Sequence, residues 1–330
     1  MKKIISCLLV IIVFAASANS QKLSTAETKI LKQKEDTLQK LAKNLIVDSL
    51  TSSRMRNDSL FIRTLVRTLQ VKNSFYYPFD SVQGVSKLYA PDSTFRIFSW
   101  ALSFDDYYSR QRAAIQYRTN DGSLKLIPLK DFSEFTNKPV DSIRTKNNWI
   151  GAVYYNIIKT EYKGKDYYTL FGIDNNSVVS NKKWIEVLTF NEKKEPIFGG
   201  PYFSYEKDSI KRPTQNRFSI EYKKDASILV NYVPDENLIL FDHLVSETNE
   251  DDKPHTFIPD GDSEGFKWEN GKWVHIDKVF NFKVDMRGAD QYLGRPPVGD
   301  PILDDKGNKD EEKLQKQSDK NNTKKKKDQL

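Results

Sequence analysis

Three histidines, His243, His255 and His275, are the side chains whose ordinary titration lies near neutral pH, and proton-transfer chemistry in this chain would start from them. His243 follows Asp242 in the run FDHLV. Neighbours on a strand point to opposite faces, so adjacency does not make Asp242 and His243 an acid–base dyad. They stand as catalytic candidates that still need an oriented partner from elsewhere. His275 lies in WVHID, alternating with Val274 and Ile276. The nucleophile elbow G-x-S-x-G, the P-loop, the dinucleotide-binding glycine fingerprint and H-E-x-x-H are all missing.

The most pointed acidic run is PDGDSEGF, residues 259–266. Asp260, Asp262 and Glu264 are spaced like the first three ligands of a calcium loop, with Gly265 at the place of the sharp turn. The twelfth position, where a bidentate glutamate belongs, is Gly271, and the flanks read as strand. An EF-hand is thereby excluded. A looser calcium site on a β-loop stays open beside the plainer reading, an acidic turn leading into a hairpin, because three oxygens fall short of the six to eight that calcium takes. No other cofactor is indicated. A glycan hydrolase needs two carboxylates facing across a cleft, and Asp105-Asp106 followed by Tyr107-Tyr108 is a place for such a pair. The abundant aromatics sit at core positions and argue for packing before sugar stacking.

The elements that must position these groups are mostly strands. Ser24-Thr25-Ala26-Glu27 has the form of a capping box and predicts a helix from there, with Ile30, Leu31, Leu38, Leu41, Leu45 and Ile46 as its apolar stripe. A second helix is predicted to open at Asn57-Asp58-Ser59 and to run through Phe61, Leu65, Val66 and Leu69. Beyond Asn73 the period changes. SFYYPFDSV, broken by Pro78, reads as an extended crossing or edge piece; FRIFSWALSF, RQRAAIQYRT and LKLIPLK read as strands. Residues 149–190 form three apolar runs parted by Lys163-Gly164-Lys165 and Asp174-Asn175-Asn176-Ser177, the pattern of an antiparallel meander. Its first strand carries apolar groups on both faces and is expected in the middle of the structure. EPIFGGPYF predicts a sharp irregular loop, three strands follow, and Asn270-Gly271 is the strongest hairpin signal in the chain. The fold class is therefore α+β, mainly β: an N-terminal helical hairpin packed on a large antiparallel meander, closed as a sandwich or barrel, with residues 21–73 helical and 74–286 forming the β domain.

The two ends carry the address. Lys2 and Lys3 precede an apolar run from Ile4 to Phe14 and the small residues Ala15 to Ser20, the pattern of a secretory signal peptide over residues 1–20. The run is too short for a permanent anchor, which needs roughly 20 apolar residues, so no transmembrane segment is expected in the mature protein. Cys7, the single cysteine, would leave with the signal, which removes disulfides and thiolate chemistry together. Residues 287–330 are Gly/Pro linker and then polar tail, expected to be disordered. Of the formal charge of +7, two units sit on Lys2 and Lys3, and two more are the excess of lysine over acid from Asp304 onward. The remaining +3 is ordinary, and nucleic acid is not an expected partner.

The runs FYYPFDSV, FRIFSWAL, NWIGAVYYNII, YYTLFGID, KKWIEVLTF, PIFGGPYF, ILFDHLV and PDGDSEGFKWENGKW, taken in order from Phe75 to Val284, resemble a family of uncharacterised exported proteins from Bacteroidetes-type bacteria. The resemblance implies a periplasmic or cell-envelope setting and carries over no activity. The expectation is an exported envelope protein that binds a partner or ligand without catalysis, with a hydrolase acting on glycan or another envelope polymer as the alternative.

Overall fold

The computed structural model describes residues 23–279, apart from 106–107, 137–138 and 176. The predicted signal peptide and polar tail lie outside the described residues. Two helices come first, α1 (Thr25–Val47) and α2 (Thr51–Leu69). The capping box at the start of α1 is complete: Ser24 Oγ accepts from the Glu27 N–H while the Glu27 carboxylate accepts from the Ser24 N–H. Leu31, Leu38, Ala42 and Leu45 form its buried stripe, whereas Ile30 and Ile46 are exposed.

The start of α2 corrects the sequence reading. The helix opens at Thr51, with Leu50 at the capping position and no side-chain cap. Asp58, expected near a helix start, is mid-helix and buried, where it accepts from the Trp100 indole N–H at 2.9 Å and pairs with Arg112 at 3.0 Å. A tertiary partner, and not the local backbone, explains the aspartate.

Three sheets follow, antiparallel but for one strand pair. The first has the order β1 (Ser86–Tyr89), β2 (Phe95–Ser103), β3 (Ser109–Tyr117), β4 (Lys125–Leu129). The second runs β5 (Arg144–Thr145), β9 (Pro196–Phe198), β8 (Ser180–Phe190), β7 (Lys165–Asp174), β6 (Val153–Tyr162), with β11 (Arg217–Lys223) pairing along the first half of β8. The third runs β10 (Phe203–Ser204), β15 (Lys272–Ile276), β14 (Phe257–Glu269), β13 (Leu238–Ser246), β12 (Val230–Val233), and its β10–β15 pair is parallel. Among the described residues no helix is long and apolar enough to cross a membrane.

Three cores show how the layers stack. The helices bury Leu38, Phe61 and Leu65 against Phe98, Trp100 and Leu102 of β2. Phe95 and Ile97, on the other face of β2, meet Leu170, Trp184 and Leu188 of the second sheet. Phe171, Ile185 and Val187, on the far face of that sheet, meet Phe241, Phe266 and Trp273 of the third. Alternate residues of β2, β7 and β8 thus feed opposite cores, which period-two side-chain direction requires of a sheet covered on both sides. The result is a stack of open sheets, sandwich-like and not a barrel. Each fully buried Leu, Phe or Ile contributes about 1.5–3 kcal/mol.

The meander is present, but its first strand starts later than the apolar run. Trp149 makes only an isolated bridge to Asp131, Gly151 takes φ +80°, and β6 begins at Val153. A register shift between Tyr154 and Asn156 leaves Tyr155 40 % exposed while Tyr154 is fully buried. β6 is an edge strand of its sheet, covered by neighbouring layers and not by strands on both sides. SFYYPFDSV is not a strand: it opens as a single 3₁₀ turn, Ser74–Tyr76. Within EPIFGGPYF, Gly199 and Gly200 (φ +82° and +149°) carry the chain from β9 in the second sheet to β10 in the third. Asn270 and Gly271, both at positive φ, close the β14–β15 hairpin as predicted.

One inter-layer tie yields a pH prediction. Asp92, in the turn before β2, accepts from Thr94, from the Tyr168 hydroxyl at 2.7 Å and from Lys159 at 2.9 Å, so it fastens the first sheet to the second. Burial pushes its carboxyl up, and the hydrogen bonds from Tyr168, Thr94 and Lys159 more than reverse this, holding it at about 2. A depressed carboxyl contributes stability that is fully present above its unfolded value of about 3.9 and is lost as pH falls through its folded one. Asp92→Asn is expected to lower stability at pH 7 by about 1–2 kcal/mol, with the gap to wild type closing between about pH 4 and pH 2 in denaturant melts. A gap that does not change with pH would remove the carboxylate from this role.

Candidate functional site

The packing between the first two sheets ends before the strands do. Along the inner face of β2 the residues run Phe95, Ile97, Ser99, then Ala101 and Ser103; opposite Ala101 and Ser103 on β3 stand Gln111 and Ser109. Directly opposed residues share a face, so Ala101, Gln111, Ser103 and Ser109 form one small, mostly polar floor. Side chains this short cannot fill the roughly 10 Å between stacked sheets, and the layers part. The opening is a cleft of about 740 Å³. Val153, Ile173 and Lys224 wall it on the side of the second sheet, and Thr51 and Arg54 of α2 on the other.

The polar groups at the cleft are of three kinds. Arg54 donates to the Asp48, Ser49, Ser103 and Phe104 carbonyls and to Thr51 Oγ1, and Lys224 donates to the Asn175 and Ser177 carbonyls. Both cations are held by neutral oxygens. Gln111 is 2 % exposed, and its side-chain N–H donates to Asp174 Oδ1 at 3.0 Å, while its Oε1 has no hydrogen-bond partner among the described residues. Asp105 and Tyr108, from the carboxylate–tyrosine run singled out in the sequence, also line the cleft; Asp106 and Tyr107 lie outside the described residues.

The sequence-predicted histidine and acidic residues meet elsewhere, on the third sheet. PDGDSEGF is part of β14 and not a turn outside it. The strand does bulge there: on β13 only His243 lies between the paired residues Asp242 and Leu244, and on β14 three residues, Asp260 to Asp262, lie between their partners, with Gly261 at φ +94°. Bulges re-aim side chains, and this one brings His243 Nδ1 to 2.9 Å from Asp260 Oδ2. Asp242 faces away and accepts from the Leu229 N–H. His243 and Asp242 are therefore not a pair.

Asp260, Asp262 and Glu264 do not gather around one point. Asp260 takes His243, Asp262 takes Lys278 at 3.0 Å, and Glu264 Oε2 takes His275 Nε2 at 2.8 Å. Glu264 Oε1 lies 3.6 Å from His243 Nε2, so this carboxylate bridges the two histidines. On the other side of His275, Nδ1 meets Asp208 Oδ1 at 2.9 Å, and Asp208 is paired with Arg212 at 2.6 Å. The result is a continuous line of groups: Arg212, Asp208, His275, Glu264, His243 and Asp260.

His275 is almost wholly buried with a carboxylate on each nitrogen. Burial pulls its pKa down, but the hydrogen bonds to Glu264 and Asp208 outweigh that and raise it above the ordinary histidine value. Asp208 is pushed up by burial and brought below the ordinary range by Arg212 and His275. Arg212 also lies 4.1 Å over the Tyr205 ring. Sequence reasoning missed Asp208 and Arg212, which stand in the polar run EKDSIKR without periodicity; their i, i+4 spacing was the sole local signal.

Fold and sites together define a layered α+β protein, two N-terminal helices on stacked antiparallel sheets, with a polar cleft between layers and a histidine–carboxylate line on the outermost sheet. No protein-family profile matches this chain, and a search of curated proteins finds no relative.

Proposed function

We propose that this protein is an exported, non-catalytic binding module of the cell envelope that holds a segment of envelope glycan in the cleft between its first two sheets. The observation that carries the reading is Gln111, a buried amide on the cleft floor whose carbonyl oxygen has no partner among the described residues. An orphaned buried acceptor costs about 1–3 kcal/mol, and a ligand hydroxyl or amide N–H would satisfy it. The cleft volume falls within the roughly 300–1,000 Å³ of small-molecule sites. Serine hydroxyls, two cations held by neutral oxygens and the Phe104 and Tyr108 rings match the hydroxyl- and amide-rich edges and apolar faces of a sugar chain. Export rests on the signal pattern of residues 1–20.

Ala101→Trp tests the site, because it fills the floor without removing any hydrogen bond. Wild-type protein is expected to bind soluble fragments of bacterial cell-wall glycan in calorimetric titration, and the variant to bind at least tenfold more weakly, about 1.4 kcal/mol, with an unchanged melting temperature. Equal affinities would remove the cleft from the account. A second reading, a hydrolase acting on glycan or another envelope polymer, has one observation in its favour, the oriented His243–Asp260 pair. Cleavage of the same fragments, lost in His243→Gln, would select it.

A further inference from the structure

The histidine–carboxylate line on the third sheet has a feature that a purely structural ion-pair network does not need. Glu264, His275 and Asp277 each place one ligand atom within 4.8 Å of the others, from two adjacent strands and the residue just past β15. The register explains the gathering. Phe266 is opposite His275 and Gly265 is opposite Ile276, so continuing the ladder sets Asp277 opposite Glu264. His275 is two residues before Asp277 and shares its face. His243, brought up on the neighbouring strand at the bulge, stands outside this group, with its Nε2 3.6 Å from the Glu264 carboxylate.

We propose that Glu264, His275 and Asp277 form a binding site for a zinc-like divalent transition metal. An imidazole nitrogen and two carboxylates, with water completing the shell, suit zinc, cobalt or nickel, whereas calcium and magnesium take oxygen ligands. This site therefore differs from the calcium loop suggested by the spacing of Asp260, Asp262 and Glu264: it keeps Glu264, and its other donors come from β15 and the residue just past it. The polar groups behind His275 have the arrangement that metal-bound histidines use. Nδ1 is held by Asp208, and Asp208 by Arg212, which fixes the ring with Nε2 directed at Glu264 and leaves that nitrogen to the metal once its proton has gone. Binding exchanges the His275–Glu264 hydrogen bond for two metal–ligand bonds and releases the proton of that bond to solvent. Asp277 is exposed and Glu264 partly so, which gives the ion an entry from the surface. The proposal does not rest on the glycan reading, and the two can fail separately.

The test uses the untagged chain stripped with a chelator and titrated with cobalt(II) and then zinc. Cobalt is expected to produce the visible ligand-field absorption of a four-coordinate nitrogen–oxygen site at one equivalent, and zinc to abolish it. Asp277→Asn, at an exposed position, is expected to weaken binding at least tenfold while leaving the metal-free melting temperature unchanged. Asp208→Asn, behind the ligand, is expected to weaken it about 10–100-fold. His255→Gln, away from the site, should bind as wild type does. Absence of a saturable one-to-one cobalt spectrum in the wild type, or equal affinity in wild type and Asp277→Asn, would overturn the assignment.

Discussion

Arg217→Met is expected to destabilise the protein by about 3–5 kcal/mol, as removal of one member of a buried ion pair does. Arg217 and Glu186 are both fully buried, on β11 and β8, with Nε 3.2 Å from Oε2. The guanidinium also donates to the Pro139, Ser142 and Phe198 carbonyls, so it pins the connection before β5 to the second sheet. Glu186 Oε1 accepts from the Tyr154 hydroxyl at 2.5 Å, and that hydroxyl accepts from the Trp149 indole at 2.7 Å. Without the arginine, Glu186 would be a buried carboxylate that keeps the Tyr154 hydrogen bond and the field of Arg144 but loses its own ion pair, and three backbone carbonyls would lose a donor. The double variant Glu186→Leu, Arg217→Met should recover a large part of the loss, because an apolar pair carries no unmatched charge. Urea melts of the wild type, single and double variants measure both effects. A single variant within about 1 kcal/mol of wild type would mean that the pair is solvated in solution.

Arg96→Met should be of similar size for a different reason. Arg96 is fully buried on β2, and among the described residues none of its hydrogen bonds goes to a carboxylate. Its charge is satisfied by Gln116 Oε1, the Ser74 and Tyr77 carbonyls and the Tyr89 hydroxyl. Its guanidinium carbon also lies 4.6–5.7 Å from the ring centroids of Phe98, Phe79, Tyr89 and Phe75. Burial lowers its pKa to about 10, against the opposing effect of Tyr89, so it stays charged at neutral pH. A methionine fills part of the volume but leaves these acceptors orphaned, at about 1–3 kcal/mol for each one that water cannot reach. A loss of at least about 3 kcal/mol follows, and Arg96→Lys should recover little of it, since an ammonium cannot reach all four acceptors or stack as a plane. Equilibrium denaturation of Arg96→Lys decides the matter: wild-type stability would show that charge alone is needed.

Local chemistry made part of this fold legible. The Ser24–Glu27 box, the Lys163-Gly164 and Asn270-Gly271 turns and the meander from β6 to β8 are specified by neighbours within a few residues, and they form as the sequence indicates, apart from the later start of β6 at Val153. Features specified by distant partners were misread or unseen. Asp58 imitates a helix cap yet is a buried acceptor for Trp100. Arg96 and Arg217 look like solvated strand positions, because alternation says which face a residue is on and not whether a box of aromatics or a glutamate waits there. The candidate metal donors show the same divide. The spacing of Asp260, Asp262 and Glu264 suggested one loop, while the bulge gives each carboxylate a different partner and brings in His275 and Asp277 through the β14–β15 register. The cleft follows from a gradient visible in one strand, large to small from Phe95 to Ser103, that gains meaning only once the facing sheet is known.

The central claim is that the cleft holds a ligand, and the side-chain amide of Gln111 reports on it directly. In a nuclear magnetic resonance titration of the isotope-labelled protein with soluble cell-wall glycan fragments, the Gln111 side-chain resonances and the backbone amides of Ser103, Ser109 and Lys224 should shift together and saturate. Shifts confined to other faces of the molecule, or no shift at Gln111 at saturating fragment, would contradict the account.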